Sequence, residues 1–208
     1  MIRYLVLGGE SSMANIFQFK ISLRDIIPSI WRRIQIAEDS TFWALHVAIQ
    51  DAMGWEDCHV HQFLLKDPRT GRNAYIGIPD EDFDEHEVLP GWELKLSDYL
   101  VLSANHSISY LYDDADNWEH LLEFEGSYPK DKKKYPLCLE GRRACPPENV
   151  GGVFGYKHYM DVLSNPSHPE YSEIFGWKGL FEAENFNPKK IKFLDPLERL
   201  KKLRIPKL

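Results

Sequence analysis

Several stretches of the chain alternate apolar and polar residues with the period of a half-buried strand. Phe17, Phe19, Ile21 and Leu23 alternate with Gln18, Lys20, Ser22 and Arg24. After a break at residues 25–29, with Pro28 as breaker, Ile30, Arg32, Ile34 and Ile36 oppose Trp31, Arg33 and Gln35. Two such runs around a short turn predict a hairpin. His59, His61 and Phe63 alternate with Val60, Gln62 and Leu64, predicting a third strand. A second hairpin is predicted from residues 108–112 and 118–125, joined through 113–117; Trp118, His120, Leu122 and Phe124 share one face of its second arm, opposite Glu119.

Between the second and third strands the period becomes helical. Phe42, Leu45, Ile49, Ala52 and Met53 form an apolar stripe after the capping residues Asp39-Ser40-Thr41 and before the stop Gly54. Tyr156, Tyr159, Met160 and Leu163 predict a short helix ended before Pro166. In the tail, Asp195 as N-cap, Pro196 in the first turn, Glu198 at N3 and the stripe Leu197, Leu200, Leu203 predict a short docked helix. Residues 138–152, rich in Pro and Gly, read as a loop, and residues 80–87 as a solvated acidic loop without EF-hand spacing. These elements predict an α+β fold: a β-hairpin–helix–strand (β-grasp-like) unit extended by a second hairpin, with helices packed on one face of a mixed sheet. Residues 1–15 are expected to be a leader or loose terminal strand, 16–194 a single domain, and 195–208 a basic helix docked on it.

Composition alters this picture little. The chain is 43% hydrophobic and 27% charged, as ordinary globular proteins are. Its formal net charge of -7 argues against a general nucleic-acid binder. The last twenty residues depart from that average, with eight basic residues against two acidic, a net +6 that leaves -13 on the rest. Nucleic acid or an acidic partner held by this tail is therefore one reading. No stretch reaches the ~18 apolar residues of a membrane span, and the N-terminus lacks a signal-peptide pattern. Three cysteines make no disulfide framework, so a reducing cytoplasm and no membrane association are expected.

Four ordered motifs resemble a known family. Pro28-Ser29-Ile30-Trp31-Arg32-Arg33 resembles its P-x-x-W-R-R; Leu45-His46, Met53-Gly54-Trp55, His59 and Phe63 resemble its L-H…G-W…H…F block. Tyr112-Asp113 to Trp118-Glu119-His120 resembles Y-D-F-G-D-x-W-E-H, and Cys138, Gly141 and the run from Ala144-Cys145-Pro146-Pro147-Glu148 to Gly152 resemble G-x-x-A-C-P-P-E-D-x-G-G. The family is the plasmid pRiA4b ORF-3-like family, also labelled the IS1096 element passenger TnpR family. The resemblance implies an α+β fold and a plasmid or mobile-element setting, with no established activity. The resolvase suggested by the second label needs a nucleophilic Ser among clustered Arg, a constellation not found in this sequence. The chain departs from the pattern at Asp114-Ala115, where Phe-Gly is usual, at the next acid, which is Asn117 or a shifted Asp116, and at Asn149.

Three functional readings follow. The first is a binding module whose protein or small-molecule ligand sits in a polar groove formed by the two hairpins and the loop 138–152, with Arg32, Arg33, His46, Trp55, Tyr112, Trp118, Glu119 and Glu148 as candidate contacts. The second is a metal-dependent hydrolase or nuclease holding a divalent metal such as zinc through His59, His61, Asp113, His120, Cys138 and Cys145, residue types that ligate transition metals. The third is nucleic-acid binding by the tail. Trp31 is expected in the core, and Arg32 or Arg33 is expected to pair with a carboxylate from residues 113–119. Cys145 as a nucleophile beside His120 is disfavoured by the two prolines that follow it.

Overall fold

The computed structural model describes residues 15–80, 85–100 and 107–203. Eight strands form one sheet in the order β5-β4-β3-β6-β7-β1-β2-β8. β1 (Asn15–Leu23) and β2 (Trp31–Ala37) are the first hairpin; β6 (Ser107–Tyr112) and β7 (Trp118–Pro129) are the second. The two hairpins join edge to edge through β1 and β7, so the second is inserted between the first and β3 (His61–Lys66). β4 (Asn73–Gly77) runs antiparallel to β3, β5 (Val88–Pro90) parallel to β4, and β8 (Leu137–Arg142) antiparallel to β2. The single parallel pairing makes the sheet mixed, and with its helices the fold is α+β.

Alternation along each strand decides which side is buried. Phe17, Phe19, Ile21 and Leu23 of β1, and Ile34 and Ile36 of β2, form the core face. Helix α1 (Phe42–Met53) lies on it, with the Phe42 ring 5.4 Å from Phe63. Thr41 Oγ1 accepts the Ala44 N–H at 3.1 Å, and Gly54, in the left-handed region at φ 87°, ends the helix. The buried surface is wider than the predicted stripe: ten of the twelve residues of α1 are buried, Trp43, Val47 and Gln50 among them. Its outer side is covered in turn. Phe42 N–H donates to Leu94 O, Trp43 N–H to Gly91 O, and the Trp43 indole to Pro196 O. Each large apolar side chain buried in this way contributes about 1.5–3 kcal/mol, so α1 anchors the core.

The opposite sheet face carries a charge ladder. Lys20 meets Glu123 at 3.2 Å, and Arg33 meets Glu125 at 2.8 Å and Glu140 at 2.6 Å. Trp31 lies on this half-exposed face, with the Arg33 guanidinium 5.2 Å from its ring centroid, and not in the core. The parity of β2 requires this, since Ile30, Ile34 and Ile36 point inward and carry Arg32 with them. The region read as one loop from 138 to 152 begins as strand β8, while His59 lies just before β3.

Helix α2 (Leu96–Tyr99) lies between β5 and β6, and the remaining helices follow the last strand: α3 (Gly152–Ser164), α4 (Tyr171–Lys178), a 3-10 turn (Pro188–Lys190) and α5 (Pro196–Leu200). Helix α4 has no buried residue, which explains why no apolar period marks it. The Asp195 carboxylate accepts the Leu197 and Glu198 N–H groups as an N-cap does. No helix among the described residues is long and apolar enough to cross a membrane. Residues 1–14 of the leader expected at 1–15, and residues 81–84 of the acidic run 80–87, lie outside the described residues, while Asn15 opens β1.

Candidate functional site

Trp55, just beyond α1, is the hub of the motif residues. Its ring stacks on Tyr112 at 5.1 Å, lies 5.8 Å from Trp118 and meets His120 edge-on at 5.3 Å. The indole N–H donates to Pro146 O at 2.9 Å. Glu148, two residues on, accepts the Glu56 N–H at 2.7 Å and the Tyr112 hydroxyl proton, while that hydroxyl accepts the Cys58 N–H at 3.0 Å. The Pro146–Glu148 stretch is thus clamped on the chain after α1 by both its backbone and its carboxylate. Burial, then the Glu148 carboxylate, push the Tyr112 phenol well above its usual range. Burial lowers His120 to about 4, and its Nδ1 donates toward the Tyr110 and Trp118 carbonyls at 3.3 and 3.2 Å. His120 is therefore a neutral core residue.

The turn between β6 and β7 docks on the next segment. Asp113 and Asn117 adopt left-handed conformations at φ 66° and 52°. Asp113 Oδ1 accepts the Ala115 and Asp116 N–H groups, and Oδ2 lies 3.3 Å from His59 Nε2. Asp116 Oδ2 accepts the Gly151 N–H at 3.0 Å. Gly152 has φ 66°, and a Cβ there would collide with the Asp116 carbonyl, so this contact requires glycine twice over. The departures from the motif pattern are accommodated. Ala115 is not among the left-handed residues, so it does not need glycine. Asn149 sits at φ 60°, which its short amide side chain tolerates, and its Oδ1 meets His59 Nε2 at 2.8 Å.

These turns enclose an open groove of about 440 Å³. Arg24 and Asp25 come from the turn that follows β1 in the first hairpin, residues 115–117 and Glu119 from the second hairpin, and Gly151 to Phe154 from the start of α3. Arg24 Nε pairs with Glu119 at 3.1 Å across the hairpins. The ion pair expected from Arg32 or Arg33 to residues 113–119 is thus made by Arg24. Arg33 pairs instead with Glu125 and Glu140. Arg32 is buried and donates to the Ala52, Trp31 and Arg142 carbonyls, with Phe186 stacked 3.8 Å away. It ties β2, α1 and β8 together and does not face the groove. Phe154, by contrast, is 88% exposed at the groove's rim.

The other candidates scatter. Cys138 and Cys145 flank Arg32; burial pushes the Cys145 thiol up to about 12, which leaves no thiolate nucleophile. His46 and His61 are buried and stacked 3.5 Å apart, nearly parallel. Gln50 Nε2 donates to the Tyr110 hydroxyl, which lies 2.9 Å from His46 Nδ1; His46 Nε2 lies 2.8 Å from Asp57 Oδ1. The sequence of donors assigns the His46 proton to Nε2. Burial keeps both imidazoles below their usual pKa, so both are neutral. No group of three or more His, Cys, Asp and Glu side chains among the described residues is placed to hold a metal ion. His59 and Asp113 do meet; His61, His120 and the two cysteines do not join them. Sequence reasoning missed Arg24, Asp57, Tyr110, Phe154 and Arg199. Arg24 was legible as the residue ending the first alternating run, whereas the others carry no local signal.

Comparison with known proteins adds the following. The sequence profile of the family described as "Plasmid pRiA4b ORF-3-like protein" matches residues 15–190. The uncharacterised protein y4hQ of Sinorhizobium fredii is 30% identical over 167 residues, 80% of this chain and 82% of that one. The crystal structure of MM3350 from Methanosarcina mazei, described as a protein of unknown function, is similar with a TM-score of 0.80 and 38% identity, covering 88% of this chain and all of that one.

Proposed function

We propose a function from the premise that this chain belongs to the plasmid pRiA4b ORF-3-like protein family. It is a binding or interaction module, and its polar ligand or partner enters the groove between the turns of the two hairpins and the start of α3. One observation carries this reading: Phe154 stands 88% exposed over a groove whose rim includes the left-handed residues Asp25, Asn117, Gly151 and Gly152. Non-glycine residues in that region cost roughly 1 kcal/mol each and concentrate at binding and catalytic sites. The rim is also braced, by Arg24–Glu119 and by Asp116–Gly151, so the groove is preorganised.

Amide chemical-shift mapping against a library of metabolites and short peptides tests it. Hits should shift Arg24, Asn117, Gly151 and Phe154 together, and Phe154→Ala should weaken them at least about tenfold, as loss of a buried aromatic anchor does. Hits that map elsewhere, or bind Phe154→Ala unchanged, reject the groove. Metal-dependent hydrolysis stands second, because its support is the His59–Asp113 contact at 3.3 Å alone. Stoichiometric zinc binding lost in His59→Ala would reverse that order. Nucleic-acid binding by the tail stands third: Arg199 is held by Asp51 and Asp57, and Lys201 by Glu198.

A further inference from the structure

The outer side of α1 carries a second set of polar groups, away from the groove. Asp51 and the nearby Asp57 have side chains only 5% and 11% exposed. The Arg199 guanidinium lies between them, Nη2 at 3.0 Å from Asp51 and Nη1 at 3.4 Å from Asp57. The other Asp51 oxygen accepts the Leu194 N–H at 2.7 Å, and the Trp43 indole donates to the Pro196 carbonyl at 2.7 Å. Over six residues of chain this surface reads one N–H, one carbonyl two residues later and one guanidinium three after that. Backbone hydrogen bonds that fix register, with a charged pair that fixes identity, are the elements of peptide recognition.

Apolar support is limited to Phe193, which packs part-buried against the core just before the segment, and to the half-buried Pro196 and Leu200. Helix α5 is five residues long, has no buried residue and leaves Leu197 64% exposed. A cavity of about 370 Å³ remains between it and Glu56–Asp57. A helix this short has no stability of its own. Its position rests mainly on the polar contacts, on the part-buried Phe193 before it, and on a tether that supplies an effective concentration on the order of millimolar.

We propose that α1 and the adjoining Asp57 form a receptor for an arginine-bearing peptide, occupied in cis by residues 194–199 and opened when a partner protein presents the same pattern of proline turn and arginine. Glu56 beside the cavity adds a third acid to the mouth, which matches a cationic guest.

The test uses the full-length chain and a fluorescent peptide of residues 193–203. Arg199→Ala should bind the peptide at least about tenfold more tightly than wild type, because the competing tether is released. Adding Asp51→Asn, or removing the peptide's arginine, should abolish that gain. Equal binding by wild type and Arg199→Ala, or binding indifferent to Asp51→Asn, overturns the receptor. Hydrogen exchange on the wild-type chain gives an independent reading: saturating peptide should deprotect the Leu194 amide, and unchanged protection overturns exchange of the tail even if Arg199→Ala folds poorly. Dimers formed by swapped tails would assign the site to a second copy and overturn the separate partner.

Discussion

Two polar-aromatic clusters share the buried side of β6, and they are satisfied in different ways. Tyr112 serves the Trp55 hub, while Tyr110, two residues earlier on the same face, serves the His46–His61 pair. In the hub, backbone groups answer most of the polar atoms: Trp55 to Pro146 O, Glu56 N–H to Glu148, Cys58 N–H to Tyr112, His120 to two carbonyls. In the other cluster, side chains from α1, β6, the Asp57 loop and α5 answer one another, and among the described residues both His61 nitrogens have no partner, as does His120 Nε2 in the hub. Backbone-answered groups need short contiguous segments, so the hub is written in motifs. Side-chain networks between distant elements leave less of a trace: of the second cluster, His46 falls in a motif, while Asp57, Tyr110 and Arg199 do not.

Acid should break both clusters and produce the largest effect. His120 titrates at about 4 in the fold, against roughly 6.5 for an unperturbed imidazole. Between those values the unfolded chain binds the extra proton, so stability falls as pH drops from about 6.5, and His120's share, about 3 kcal/mol, is gone near pH 4. His46 and His61 are shifted in the same direction by burial. With His46 and His61 acting in the same direction, the slope exceeds the roughly 1.4 kcal/mol per pH unit that His120 alone would give. Above pH 7 nothing is lost. Urea midpoints that stay flat from pH 7.5 to 5 would contradict the neutral buried imidazoles.

Trp55→Ala separates the clusters. It removes the ring shared by Tyr112, Trp118 and His120 and leaves the Pro146 carbonyl without its donor. Truncating a buried tryptophan costs roughly 3–5 kcal/mol. The loss should appear in the urea midpoint together with faster amide exchange in residues 146–152, while the Leu194 amide keeps its protection. Equal loosening of both segments would mean that the clusters form one cooperative unit.

The same contrast governs what the sequence made legible. The first hairpin and α1 followed from period and capping, because their inward residues are mostly apolar, with Arg32 of β2 and His46 and Gln50 of α1 as the exceptions. β8 was read as loop because its residues are half-exposed or exposed and Gly141 interrupts it. The expectation of Trp31 in the core runs against the parity of β2, which buries Arg32 instead. Of the candidate contacts, Trp55, Tyr112, Trp118 and Glu148 do converge on the hub, and Glu119 reaches the groove. The metal candidates failed to converge because alternation fixes a side chain's face without fixing what stands opposite it: His61 faces His46, and His120 faces Trp55.

His61→Leu is the finest test of the difference, and its expected effect is small. A buried imidazole with both nitrogens unpartnered carries a desolvation cost of about 1–3 kcal/mol that leucine, of similar volume, does not. Losing the stack on His46 offsets part of that gain, since aromatic pairs contribute about 0.5–1.5 kcal/mol. Stability at pH 7.5 should therefore stay within about 1 kcal/mol of wild type, far from the effect of Trp55→Ala. The pH response should change more, because one titrating group is gone: the acid slope should fall by about one proton, or roughly 1.4 kcal/mol per pH unit. A loss above about 2 kcal/mol at pH 7.5 with an unchanged slope would mean that a buried water satisfies His61. In that case His120 Nε2 of the hub would remain an unpartnered buried imidazole nitrogen among the described residues, and the contrast between the clusters would lie in how their other polar groups are satisfied.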